Sequence, residues 1–298
     1  MSTEIGVSTD VLEAPPRVSG LKRFLRVFFS RRIVIFGVVV IMAFIIIAIF
    51  APLISPYSPI KQDIGHRLLQ PSSEHLLGTD YLGRDVLSRV IYGTRISLTI
   101  GFLAVGIAAA SGMALGLAAG YFGHVTNAVI MRFIDAIMAF PGILLALIIA
   151  TLLGGGLKNV IIALGIGLVP GFARLMRGQV LTVKENDYIM ACRSMGASNL
   201  SIMLRHIVPN CFPTLIVAIT MLLGMTVLAE AGLSFLGVGI EPPTAAWGSM
   251  VSGGYRYLST NPVLSFAPGL AIMLLVFAFN MVGDGLRDAL DPRLRGIL

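Results

Sequence analysis

From Ile33 to Ile54 the chain carries no charged side chain. At 1.5 Å per residue a helix of that length covers roughly 33 Å, enough to cross the hydrocarbon core of a bilayer. A cluster of cations stands just ahead of it: Lys22, Arg23, Arg26, Arg31 and Arg32. A secretory leader has an apolar core of only about 7–15 residues followed by a small-residue cleavage site, so this longer stretch is expected to remain as a span. A backbone in lipid must satisfy its own hydrogen bonds, which leaves helices or a closed barrel, and uninterrupted apolar runs select the helix.

Five further apolar stretches follow, at about 96–119, 127–153, 158–178, 210–231 and 264–285. The expected fold is all-α, a polytopic transmembrane chain of six helices. Composition agrees: 56% of residues are apolar and 12% charged, with mean hydropathy +0.89, whereas a soluble domain carries about 25% charged residues. The net charge of +7 does not point to nucleic acid, because the cations sit at the ends of apolar segments and are not interleaved with aromatics. Six spans put both termini on one side. Fifteen Lys and Arg residues fall on that side and seven on the other, so both termini are expected in the cytoplasm. The chain then divides into a tail at 1–32, a first span at 33–54, an outer loop at 55–95, a five-helix core at 96–285 and a tail at 286–298.

Within the second span, Gly112, Gly116 and Gly120 continue the spacing of Ala104 and Ala108. Small residues four apart line one helix face and let a neighbour approach closely, so a packing seam is expected. Pro141-Gly142 and Pro170-Gly171 fall inside the third and fourth spans, where a proline invites a kink. Few ionisable residues lie in the spans: Asp135 with Arg132 three residues before it, Glu230, and Asp284. Asp135 and Arg132 read as an ion pair, and no midplane proton relay can be assembled. No GxxxxGK[ST] loop, GxSxG elbow or HExxH pair occurs, so neither ATP binding by that route nor hydrolytic catalysis is expected. His66, His75, His124 and His206 show no metal-ligand spacing, and Cys192 and Cys211 are expected to be reduced.

The segment from Tyr188 to Pro209 is different in kind. It reads as two short amphipathic helices on the cytoplasmic side, broken at Gly196 in a left-handed conformation. Asn186 or Asp187 is placed to cap the first helix and Ser198 the second, which runs to about Val208. Leu200, Met203, Leu204 and Ile207 recur at spacings of three and four as one apolar stripe. Such a pair suits a groove on a partner protein, or else the headgroup layer of the membrane.

This segment resembles the "EAA" loop of type I ABC importer permeases, with Met190, Ala191 and Cys192 at the E-A-A positions, Gly196 at the glycine position and Val208-Pro209 at the close. Two residues depart from the pattern, Met190 for the acid and Cys192 for alanine. The run Leu77-Gly-Thr-Asp-Tyr-Leu-Gly-Arg-Asp85, followed by Ser88-Arg89 and Tyr92-Gly93, is similar to the outer-loop signature of C-type permeases of dipeptide and oligopeptide importers. So are Leu233-Ser-Phe-Leu-Gly-Val-Gly239, Pro242-Pro243-Thr244, Trp247-Gly248 and the ending from Ala278 to Pro292. The likeness extends from about residue 20 to the end.

The resemblance implies a type I importer fold with the first span peripheral to a five-helix core in the bacterial inner membrane. It implies pairing with a homologous B-type permease, docking of two ATPase subunits inside, and delivery of cargo by an extracytoplasmic binding protein. The ATP and Mg would sit on the partner subunits, with no cofactor on this chain. Met190, Ala191, Cys192, Gly196, Ala197, Ser198, His206 and Pro209 would form the ATPase-coupling loop. Gly78, Asp80, Gly83, Arg84 and Asp85 would form the outer signature, which by chemistry alone reads as a polar turn with internal salt bridges. The cargo implied is a small peptide; glutathione, a nickel chelate or another solute is the alternative. A lone secondary carrier is disfavoured by the missing midplane charges.

Overall fold

The computed structural model describes residues 20–290, with side chains from Phe24 onward. Positions 1–19 and 291–298, which include Arg17, Arg293, Arg295 and the Asp291-Pro292 part of the C-terminal motif, lie outside the described residues. A short α1 (Gly20–Phe28) leads into α2 (Arg32–Ile54). Then come α3 (Val86–Phe122), α4 (His124–Met138), α5 (Gly142–Leu153) and α6 (Gly156–Lys184). The small helices α7 (Asp187–Ser194) and α8 (Asn199–Ile202) precede α9 (Val208–Phe235), α10 (Trp247–Tyr255) and α11 (Val263–Leu290). Among the described residues there is no strand, only an isolated bridge between Thr79 and Asp85.

Among the described residues, five helices are long and apolar enough to span a membrane, and six spans result if the bent pair α4–α5 counts as one. α2 is the outlier among them. Only Val34, Gly37, Ala48 and Ala51 of it are buried, while Ile33, Phe36, Val39, Ile46, Ile49 and Phe50 are exposed. An apolar helix buried on one narrow stripe is peripheral, with the rest of its surface left for lipid tails. Its small residues make the contact: a Cβ at Gly37 would come within 3.0 Å of Ala278 O on α11.

The core is organised by α3 against α6. A Cβ on Gly112 would lie 2.6 Å from Phe172 Cβ and 2.7 Å from Val169 O, and one on Gly120 2.8 Å from Val180 Cβ. Gly116 is equally tight, at 2.8 Å from Met176 Cβ. Ala104 and Ala108 are fully buried on the same face, so α6 rides along α3 over several turns with almost no side chain between the backbones.

The two Pro-Gly pairs behave differently. At Pro141 the chain turns by 85° between α4 and α5, so this apolar stretch is two helices and not one straight span. At Pro170 α6 runs on uninterrupted. Proline removes one hydrogen bond in both places, but Pro170 is buried and its neighbours Val169 and Phe172 are seated on Gly112 of α3. Packing holds that helix where Pro141, exposed, has no such clamp. Asp135 also departs from the sequence reading: it pairs across to Arg174 of α6 at 2.5 Å, not to Arg132.

Candidate functional site

One end of the bundle gathers Gly120, Lys184 and residues 186–209. α7 ends in two hydrogen bonds, Gly196 N–H to Arg193 O at 2.9 Å and Ala197 N–H to Cys192 O at 3.1 Å. These are the paired 5→2 and 6→1 bonds of a Schellman stop, and they require a left-handed residue at the turn. Gly196 supplies it, with φ +79°. Ser198 then caps α8 by accepting from Ser201 N–H at 3.4 Å. Asn186 occupies the first cap position without a capping bond of its own; its amide donates instead to Val183 O at 2.9 Å.

The second helix of the loop does not stop at Val208. A π-turn over Met203–Ile207 joins α8 to α9, and Asn199 to Phe235 is one continuous helix. Pro209 explains the turn. It cannot donate to the carbonyl four residues back, and widening the ladder by one residue lets Val208 N–H reach Met203 O instead. The widening also splits the expected apolar stripe. Ile202 and Ile207 are fully buried, in a core that includes Ile189, Val183 and Tyr121, and Met203 packs on it. Leu200 and Leu204 face outward at 62% and 55% exposure. With Met190 at 51% and Met195 at 78%, they form an apolar surface of four flexible side chains on the same unit as Arg193 and Arg205. Exposed methionine and leucine thus stand on a braced helix pair.

The loop is braced to α3 and to itself. Tyr121 donates its hydroxyl to Asn199 Oδ1 at 2.7 Å, the Arg193 guanidinium lies 5.3 Å over the Tyr121 ring, and Lys184 Nζ donates to Gly120 O at 3.2 Å. His206 faces Cys192 Sγ at 3.8 Å and Tyr188 across 6.5 Å. Ala191 and Pro209 are exposed or nearly so, and Ala197 is half-buried. The eight residues singled out in this loop thus come together within one turn-and-helix unit.

At the opposite end, the outer signature is a buried ionic knot. Asp80 accepts from Leu82 N–H at 2.8 Å, Arg84 N–H at 3.0 Å and Arg84 Nε at 2.7 Å. Asp85 caps α3, taking Ser88 N–H at 2.8 Å and the Ser88 hydroxyl at 2.7 Å, while His75 Nδ1 lies 2.8 Å from its other oxygen. Gly78 and Gly83 turn the chain with φ of +73° and +74°; a Cβ on Gly83 would collide with the Asp63 backbone. Asp80, Arg84 and Asp85 are 8%, 2% and 3% exposed, so these residues face inward and hold the loop together. A little further out, the His66 side chain holds the Asp63 carboxyl below the usual range.

Other residues named from the sequence are tied in by contacts that the sequence did not show. Arg89 is 3% exposed, donates to Pro59 O at 2.8 Å and Pro243 O at 3.4 Å, and ties the first outer loop to the last. Trp247 is fully buried, with its Nε1 donating to Val90 O at 2.9 Å over Gly93. Glu230 is also fully buried, held by the Ser234 hydroxyl at 2.7 Å. Asp85 with Ser88 three residues on was a readable cap signal; the pairing of Arg89 with Pro243 and of Trp247 with Val90, across more than 150 residues, was not.

The fold defines a class: a polytopic all-α membrane protein with an exposed apolar helix pair at one end and a buried ionic knot at the other. Comparison with known proteins makes the class specific. Residues 112–296 match the family model "Binding-protein-dependent transport system inner membrane component", and residues 19–71 match "N-terminal TM domain of oligopeptide transport permease C". The chain is 44% identical to the dipeptide transport system permease protein DppC of Alkalihalophilus pseudofirmus, over 89% of this chain and 88% of that one. It is 42% identical to the glutathione transport system permease protein GsiD of Pectobacterium atrosepticum, over 92% and 91% respectively. The fold is shared with the inward-facing MetNI methionine ABC transporter, with TM-score 0.56 and 22% identity over 69% of this chain and 97% of that one. The chain belongs to the binding-protein-dependent transport system inner membrane components, and is a multi-pass permease of the ABC importer class.

Proposed function

We propose that this chain is the C-type permease of an ATP-driven importer for small peptides, with both termini in the cytoplasm. It forms half of the translocation path with a homologous B-type permease, and two ATPase subunits dock beneath it. An extracytoplasmic binding protein delivers the cargo to the outer end. The chain performs no covalent step; ATP and Mg belong to the ATPase subunits. The observation that carries this reading is the docking unit at 187–209: two helices braced to α3, an apolar exposed face, and the second helix running on into α9. Closure of the ATPase pair would move α7 and α8, and α9 would carry the motion to the outer end, alternating the access of the path.

The peptide assignment rests on likeness to the dipeptide permease; likeness to the glutathione permease favours a second reading within the same class. Both permeases would be reconstituted with the ATPase subunits and the cognate binding protein in proteoliposomes. ATP-dependent uptake of a labelled dipeptide, with glutathione failing to compete, is the expected result. Uptake of glutathione and none of dipeptides would replace the peptide reading, and uptake driven by a proton gradient without ATP would overturn the importer reading itself.

A further inference from the structure

We propose that the outer knot holds a structural halide ion, chloride in ordinary media, between Arg84 and Arg89. Two guanidiniums, 2% and 3% exposed, share one carboxylate, Asp80; Arg84 Nε is 2.7 Å from Asp80 Oδ2 and Arg89 Nε is 3.6 Å from it. The other acid nearby, Asp85, is already engaged by Ser88 and His75. Among the described residues Asp80 is the one carboxylate within 4 Å of either guanidinium, so two buried cations share a single direct counter-charge, and a buried charge without a close partner of its own is costly.

The unsatisfied donors mark where compensation would come from. Arg84 Nη1 and Arg89 Nε are buried with no hydrogen-bond partner among the described residues. Both arginines line a cavity of about 40 Å³ with Asp80, Tyr81, Pro242 and Ser249. That volume is about three times what one water needs, sufficient for a halide and too small for a cargo molecule. The Ser249 hydroxyl is turned away, donating to Ala246 O at 2.9 Å, so the donors left for a ligand are the guanidinium N–H groups, which favour an anion. A cleft of about 300 Å³ adjoins the cavity, sharing Tyr81, Pro242 and Ser249 with it. Because Arg89 also anchors Pro59 and Pro243, an anion here would brace the contact between the first and last outer loops.

Crystals of the intact importer soaked in sodium bromide decide the question. An anomalous bromide peak within hydrogen-bonding reach of Arg84 Nη1 is expected; density there without anomalous signal would mean water and would overturn the proposal, as would no density. The thermal midpoint of the importer, measured in chloride, bromide and gluconate at equal ionic strength, provides the functional readout. It is expected to rise saturably in the two halides by a few degrees, and Arg89→Gln, which removes one of the two cations, should abolish that rise. A halide response that persists in Arg89→Gln would place the effect elsewhere and sink the assignment. Should Arg89→Gln fail to assemble, the presence or absence of the bromide peak in the unaltered importer still decides between the two outcomes.

Discussion

Replacing Gly112 by alanine puts a methyl carbon 2.6 Å from Phe172 Cβ and 2.7 Å from Val169 O. Carbon atoms pack best at about 3.5–4.0 Å, so α3 and α6 would have to separate by about 1 Å at that level. Overpacking of this kind costs about 1–3 kcal/mol. The same substitution removes a glycine from a helix, which gains about 0.8–1 kcal/mol, and the two effects partly cancel. Gly106, on the same helix, isolates the packing contribution, because nothing lies within 4 Å of a Cβ there. Gly106→Ala keeps the propensity gain with no clash, so the difference between the two variants is the clash itself, about 1–3 kcal/mol. Unfolding in mixed detergent micelles, followed by helical circular dichroism, measures it as a difference in midpoint. The double variant Gly112→Ala/Gly116→Ala is expected to lose less than the sum of the single losses, since the first methyl already opens the gap for the second. Equal midpoints for Gly112→Ala and Gly106→Ala would refute the account of the seam.

Other positions give equally direct tests. At Gly196 a Cβ meets no atom within 4 Å, so only the positive φ matters; Gly196→Val should strain the turn by about 1–2 kcal/mol and raise the ATP hydrolysed per solute imported, while Gly196→Asn stays near the native ratio, and native coupling in the valine variant would remove the turn from the mechanism. Asp80→Asn leaves Arg84 and Arg89 unopposed and should destabilise the outer loop by about 3–5 kcal/mol, seen as faster proteolysis between residues 55 and 85; unchanged proteolysis would contradict the knot. Arg174→Gln breaks a pair that is 50% and 53% exposed and should shift the unfolding free energy by less than about 1 kcal/mol. Maleimide applied from the cytoplasm should label Cys192 and spare the fully buried Cys211; labelling of Cys192 only from outside would reverse the topology.

The spans could be read from sequence because lipid imposes one requirement on every residue of a segment, and Ile33–Ile54 meets it without help from anywhere else in the chain. The glycine seam was legible for a similar reason: a spacing of four residues is local. What escaped depended on neighbours far along the chain. Pro141 and Pro170 carry the same dipeptide, yet only the one lacking a packed partner breaks its helix. Asp135 has a cation three residues away and chooses one 39 residues away. At the inner loop the turn at Gly196 was readable, but the division of the Leu200-to-Ile207 stripe into buried and exposed halves was not, because it follows from the π-turn that Pro209 imposes. The burial of Asp80, Arg84 and Asp85 likewise needed Pro59 and Pro243 to come together over Arg89.

The continuity of Asn199–Phe235 gives this permease a lever. Its 37 residues extend about 55 Å at 1.5 Å per residue. A tilt of about 10° around the midpoint would swing each end by about 5 Å, roughly one helical turn. The outer arm ends where Gly248 of α10 presses directly on Ala231 and Ser234, with the buried Glu230 alongside. The two places where the rod can give are the π-turn at 203–207 and Pro213, both toward its Leu200 end, so a hinge there leaves the long arm on the side of Glu230.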